Sequence, residues 1–330
     1  MCYPASFVVT RNMSVFWSRH SDSHNEIIEE HSLHEGRNPD DPNFVCVEVQ
    51  PPNGVLFQAP LEDWTFHLDD DRGGAPWVNV RNLEKAVRLK LPDWHKARVL
   101  LEGQRKHVGQ FYASGDTCAY LSDSASARIY ENSRLLMQDS CFVKAHGRST
   151  CRLRDMSRGV LFDESGAYCE GLGCSVMCYR KSRVLLHNGG SSKNFHTSVA
   201  VLTNSPGRPG GRVFAAEHAT VILPNGGTAY LTQPSKAVLP DGSSGIVVMD
   251  QRASVFLGPA RSGLLFRDVE GEIIPVRIPE DSPKGPVRVV FFETDQVLPR
   301  EVQPTILPVS EREWGDMLSF QNLVAPLRDL

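Results

Sequence analysis

Four of the chain's eleven histidines, His20, His24, His31 and His34, fall within fifteen residues, beside Asp22, Glu29 and Glu30. Imidazole nitrogens with carboxylate oxygens are the donor set of zinc and its first-row neighbours. On a helix, His24 and His31 share a face and His34 follows three residues on. Zinc held by these four histidines is one reading. The spacing is not HExxH. Ile27 and Ile28 lie on the same side, so a buried face edged by histidines is the other reading. No cofactor is otherwise expected.

Cys2 offers a different chemistry. Its small side chain permits removal of Met1, which would expose a cysteine carrying its own α-amine as base. The following Tyr3-Pro4 does not extend that likeness, and a half-buried structural cysteine fits as well. Six of the eight cysteines (Cys118, Cys141, Cys151, Cys169, Cys174 and Cys178) fall within 61 residues without a CxxC pair. A third candidate is a run of bases, Arg128, Arg134, Lys144, Arg152, Arg154 and Arg158, able to meet a partner or a polyanion such as nucleic acid or an acidic glycan. Aromatics are few there, which gives little support to base stacking. A solvated face is the plainer alternative. GxGxxG, P-loop, GxSxG and HExxH motifs are all missing from the sequence.

A repeat must position these groups. Stepping by eight from Gly115 gives Gly115, Asp123, Glu131, Asp139, Gly147, Asp155, Asp163 and Gly171. All are types that turn the chain readily. Two residues on, the series is small: Thr117, Ala125, Ser133, Cys141, Ser149, Ser157, Ser165, Gly173. Four and six on, it is small or apolar, ending in Ser175 and Met177. Each octad thus alternates inward and outward, the mark of a strand with one buried face. On this phase Cys141, Cys151 and Cys169 point inward as buried thiols, whereas Cys174 and Cys178 point outward. The six bases also fall on outward positions.

The pattern returns after residue 210, with inward series Val213, Val221, Ala229, Ala237, Ile246, Val255, Leu264 and Ala215, Leu223, Leu231, Leu239, Val248, Leu257, Phe266. Short strands joined by tight corners bury nothing alone; stacked, they build a thin continuous core. The fold class is therefore mainly β, a parallel β-solenoid of eight-residue repeats, with an antiparallel sandwich as the alternative. Two or three octads per coil are both compatible with the spacing.

All five tryptophans lie outside the repeats, which points to end caps with their own cores. The expected division is a small α/β N-terminal cap over 1–112, a first solenoid block over 113–190, a loop or insertion over 191–210, a second block over 211–278 and a strand-plus-helix C-terminal cap over 279–330. In the N-terminal cap, strands are expected at Phe7–Thr10, Val15–Trp17, Phe44–Val49 and Val55–Gln58. Helices are expected at Ser23–His31, opened by a Ser23/Glu26 capping box, and at Asn82–Leu91, ended by Pro92. In the C-terminal cap the expectation is a strand at Val287–Glu293, a Pro-rich connector, and a helix from Glu311 with Ser310 and Glu313 as its box.

Charge is uneven. Ser21–Asp71 carries 13 acids and one base, Arg72–Tyr112 nine bases and three acids. Either one subdomain has paired or solvated faces, or this is an electrostatic docking surface. No apolar run approaches the ~20 residues of a membrane span, and the N-terminus lacks a Sec-type signal. Residence in a reducing cytoplasm, with incorporation into a virion, is the expectation.

The opening Met1-Cys2-Tyr3-Pro4-Ala5-Ser6-Phe7-Val8, with Val15-Phe16-Trp17-Ser18 and Ser21-Asp22-Ser23-His24-Asn25-Glu26-Ile27-Ile28, resembles the start of tailed-phage and bacterial proteins that continue into octapeptide β-solenoid repeats. The second block here has diverged from their more uniform Ala/Thr/Val repeats. The resemblance implies a phage-related role and no particular activity. Two functions follow as expectations. One is a non-enzymatic scaffold or binding protein, a virion component or phage–host interaction factor with a protein partner or as a homo-oligomer. The other is a glycan-acting or metal-dependent hydrolase or lyase using the histidine cluster.

Overall fold

The computed structural model describes residues 5–36, 38, 41–52, 56–69, 75–205, 208, 210–223, 226–232 and 234–239. Beyond these it describes the strand backbones Gly245–Met249, Ser254–Leu257, Gly263–Arg267, Ile273–Pro275, Pro286–Phe291 and Ile306–Pro308. Cys2, Trp314 and the expected helix from Glu311 lie outside the described residues.

The N-terminal unit is an antiparallel sheet between two helices. Strands β1 (Ala5–Thr10), β2 (Val15–Phe16), β3 (Phe44–Gln50) and β4 (Thr65–Leu68) run in the order β2-β1-β3-β4. Alternation along β1 and β3 gives the sheet two apolar faces. Phe7, Val9, Val45 and Val47 cluster with Leu83, Val87, Leu91 and Trp94 of α2 (Val80–Arg98). On the other face Val8 and Phe44 pack with Ile27 of α1 (His24–Glu30).

Several local expectations are corrected here. Pro92 lies inside α2, which runs on to Arg98. A mid-helix proline costs about 3 kcal/mol. Burial of Leu91 and Trp94 in the flanking turns, about 1.5–3 kcal/mol for a large apolar side chain, offsets it. Ser23 is the N-cap of α1, but its side chain makes no capping bond, so the box with Glu26 does not form. Leu56–Gln58 is a 3-10 turn rather than a strand. Strand β4 was not expected at all.

From Arg105 onward the chain coils. Successive strands alternate between two parallel sheets, a front one starting at Gln110–Ala113 and a back one starting at Arg105–Lys106. Phe142 pairs with Ser126 and with Arg158, sixteen residues to either side. Each coil therefore takes two octads, one per sheet, and the pairing is parallel, not the hairpin pairing of a sandwich. Coils stack about 4.8 Å apart. The interior between the sheets is one continuous apolar cluster from Leu100 to Val247. It is narrow: a Cβ on Gly159 would stand 3.3 Å from Val143 Cγ1 and 3.4 Å from Leu153 Cδ1.

The corners explain the Gly/Asp/Glu series. Gly115, Asp123, Glu131, Asp139, Gly147, Asp155, Asp163 and Gly171 all have positive φ, between 56° and 102°. The acid side chains also cap the neighbouring coil. The backbone N–H of Asp123 donates to Asp139 Oδ2 (3.0 Å), and that of Asp139 to Asp155 Oδ2 (3.1 Å). Beside several corners a buried serine hydroxyl donates three residues back, from Ser133 to the Tyr130 carbonyl at 2.7 Å, Ser149 to His146 at 2.8 Å and Ser165 to Phe162 at 2.6 Å.

Two slips alter the expected phase. Arg158 pairs with Ser175, seventeen residues on rather than sixteen. The extra residue reverses inward and outward. The interior rows continue as Cys174, Val176 and Cys178, while Met177 is 36% exposed. Further on Val247, not Ile246, pairs with Ala229 of the inward row, and Met249, not Val248, pairs with Leu231.

The expected loop over 191–210 is also corrected. Ser191–Asn194 and Val199–Thr203 are strands in register with the coils on both sides. Its apolar signal is missing because Ser192 and Asn194 occupy the inward positions, bonded to each other at 2.7 Å. The strand Pro286–Phe291 joins the front sheet beside Gly245–Met249, and Ile306–Pro308 joins the back sheet beside Ser254–Leu257. Strands of the expected C-terminal cap thus extend the solenoid.

Candidate functional site

The six expected bases do not form one face. Arg128, Lys144 and Arg158 stand outward on the front sheet, Arg134, Arg152 and Arg154 on the back. On the back sheet Arg152 and Arg154 both reach Glu170, at 2.8 and 3.0 Å. These two guanidinium groups hold the Glu170 carboxyl below its usual range, against the opposing effect of burial.

The front sheet has a different character. Two bases missed in the sequence, Lys193 and Arg212, lie in its outward rows with Arg128, Lys144 and Arg158. Between them lie Phe142, Val160, Met177, Phe214 and Tyr230. The outward positions from Gln110 to Tyr230 carry no Asp or Glu. Among the described residues Lys144, Arg158, Lys193 and Arg212 make no ion pair. Phe214 is 48% exposed, and its ring stacks on Tyr230 at 4.6 Å. The polar inward pair Ser192 and Asn194 hid Lys193, whereas Arg212 lay beside the recognised inward Val213 but beyond the 128–158 run in which the bases were gathered.

The four histidines do not converge. The helix ends at Glu30, so His31 is its C-cap and His34 is off it. His31 Nε2 sits 3.1 Å from the Trp17 carbonyl. His20 and His34 are exposed. Buried His24 instead faces the sheet: its Nε2 lies 3.2 Å from the Val47 carbonyl, its Nδ1 3.3 Å from Asp69 Oδ2. Glu48, also buried, completes a group whose ligand atoms lie within 4.8 Å of one another. Neither carboxylate is near His24 in sequence; only the pairing of β3 with β4 brings them there.

Where α2 meets the first coil, Arg98 is fully buried. It donates to Asp22 (2.9 Å) and to the carbonyls of Ser18 (2.6 Å) and Ser21 (3.1 Å). The Tyr112 hydroxyl donates to the other Asp22 oxygen. Burial pushes the Asp22 carboxyl up to about 7, with Arg98 working the other way. Part of the acid–base asymmetry of the sequence is thus an internal pairing.

Cys174 and Cys178, expected outside, are inside with Cys141, Cys151 and Cys169. Burial raises these thiols, Cys141 and Cys174 to about 11 and Cys151 to about 12. Beside one corner row runs a ladder of stacked rings, Tyr130, His146, Phe162, Tyr179 and Phe195, with centroids 4.8 to 5.4 Å apart.

These features define a two-sheet parallel β-solenoid with an α/β unit at its N-terminal end. No family model, curated protein or solved structure matches the chain. Among the described residues no helix is long and apolar enough to cross a membrane.

Proposed function

We propose that this chain is a non-enzymatic β-solenoid scaffold that binds an acidic protein partner through its front wall. The observation that carries the reading is the segregation of charge. Carboxylates sit at corners, several of them bonded to backbone amides, and the one acid on an outward strand position between 110 and 238, Glu170, is tied to two arginines. Bases, Met and aromatic rings share the front wall without acids. Arg, Met and aromatic enrichment with acid depletion is the composition of protein interfaces. Two copies of the same basic wall would repel each other, which favours a different, acidic partner. A phage-related role, as a virion component or phage–host interaction factor, rests on the likeness of the opening residues.

The test is cross-linking of the full chain in the cells that produce it, with the linked residues mapped by mass spectrometry. Links to an acidic protein should map to the front wall. They should disappear in Arg128→Glu/Lys144→Glu/Arg158→Glu and persist in the back-sheet variant Arg134→Glu. Links confined to the back sheet, or recovery of nucleic acid in place of protein, would reject the reading. Peptides of the chain in purified virions would support the phage assignment, and their absence from both virions and infected cells would remove it.

A further inference from the structure

We propose that the N-terminal unit holds one divalent cation, zinc by its donor chemistry, between His24, Glu48 and Asp69. Three elements supply the ligands: the first residue of α1, the middle of β3, and the position following β4.

The argument starts with the imidazole. A carbonyl oxygen only accepts, so the 3.2 Å contact with Val47 requires the proton on His24 Nε2. In the neutral ring Nδ1 then carries a lone pair. That lone pair faces Asp69 Oδ2 at 3.3 Å, with a Glu48 oxygen in the same group. One imidazole nitrogen and two carboxylate oxygens thus lie within 4.8 Å of one another, close enough for a single cation to bind all three. Tetrahedral ligands bound at about 2.0–2.2 Å lie about 3.3–3.6 Å apart; the His24–Asp69 pair stands at 3.3 Å, and no pair of the three is more than 4.8 Å apart. A ligating histidine whose other nitrogen is fixed by a backbone carbonyl is also the usual support for a metal ligand.

The surroundings agree. Glu48 is 2% exposed and His24 8%, so charge there is screened little by water. His67 stands opposite Glu48 in the β3–β4 register, and Asp69 follows it by two, on the same face. His67 is the residue placed to supply a fourth ligand, and the acid-rich stretch Ser21–Asp71 attracts a cation. The ion would clamp α1, whose N-cap lacks its side-chain bond, onto the sheet.

The experiment uses the full chain with zinc alone as probe. Titration calorimetry should give one equivalent bound, and a cobalt-substituted sample should show the visible bands of a nitrogen–oxygen tetrahedral site. Asp69→Asn, at a half-exposed position compatible with folding, should weaken binding at least about tenfold, as should Glu48→Gln. His20→Ala and His34→Ala should bind as the parent does. Failure to take up zinc, or Asp69→Asn and Glu48→Gln binding like the parent, would overturn the site and leave His24 and Asp69 as an ordinary ion pair.

Discussion

Arg98 and Asp22 meet in a direct 2.9 Å contact, 76 residues apart in sequence. The contact ties the end of α2 and the strand Gln110–Ala113 to the segment ahead of α1. The guanidinium also lies over the rings of Trp94 (5.7 Å) and Tyr112 (5.6 Å). Removing one partner of a buried pair typically costs about 3–5 kcal/mol. Arg98→Met should therefore lower the stability of the chain by that order. The double variant Arg98→Met/Asp22→Asn should recover part of it. Urea unfolding of the three proteins checks this; equal losses for single and double variants would show that packing, not charge, holds the junction.

The solenoid was legible because a buried face repeats every second residue and a corner every eighth. The Gly115–Gly171 series fell on positive φ at every position. What the alternation could not carry was a change of its own phase. The single extra residue between Arg158 and Ser175 leaves the local pattern of small and apolar residues intact while exchanging Cys174 and Cys178 with Gly173 and Met177. Coil number was equally hidden, since residues facing each other across the core leave no mark in one strand.

That exchange has a chemical consequence. Thiols at 141, 151, 169, 174 and 178 are buried, and their burial disfavours the reactive thiolate. Alkylation of the native protein, followed by peptide mapping, should among the described cysteines label Cys46 and Cys118 first. The five interior thiols should react at least about a hundredfold more slowly, gaining access through unfolding. Rapid labelling at Cys174 or Cys178 would restore the outward phase.

The corner acids have two separable duties. At Asp139, φ is 62°, and the carboxylate accepts from the N–H of Asp123. Asp139→Gly keeps the backbone comfortable and removes only the bond, at about 0.5–1.5 kcal/mol. Asp139→Ala adds the strain of a left-handed alanine, a further ~1 kcal/mol. Chemical denaturation should rank the parent above the Gly variant and the Gly variant above the Ala variant. An Ala variant as stable as the Gly variant would mean that φ carries no cost there.

The candidate sites were less legible than the fold. A helix-face argument gathered His20, His24, His31 and His34 by their closeness in sequence, yet a seven-residue α1 is too short to carry His34. His24 alone stands in the proposed cation group, and its companions Glu48 and Asp69 come together through strand pairing. Similarly the bases were chosen as one run, whereas alternating octads send neighbours to opposite sheets. Non-local geometry, not residue type, decided which residues came together.

His146 lies between Tyr130 and Phe162 in the ring ladder, nearly parallel to both, at 12° and 8°. Burial lowers its pKa, and Arg128, Lys144 and Arg180 add to the lowering while Asp163 opposes it. The folded state therefore binds this proton less readily than the unfolded chain. Its stabilising contribution is complete above the ordinary histidine value of about 6.5 and is lost as pH falls below that value toward the folded pKa. His146→Phe keeps a flat ring in the stack and removes the titration. The comparison is the urea midpoint of both proteins from about pH 7.5 to about pH 5.5. The parent should lose stability on acidification by more than the variant does. Parallel curves would show that the imidazole is as easily protonated in the ladder as in water, and the stack would then have no part in the acid response.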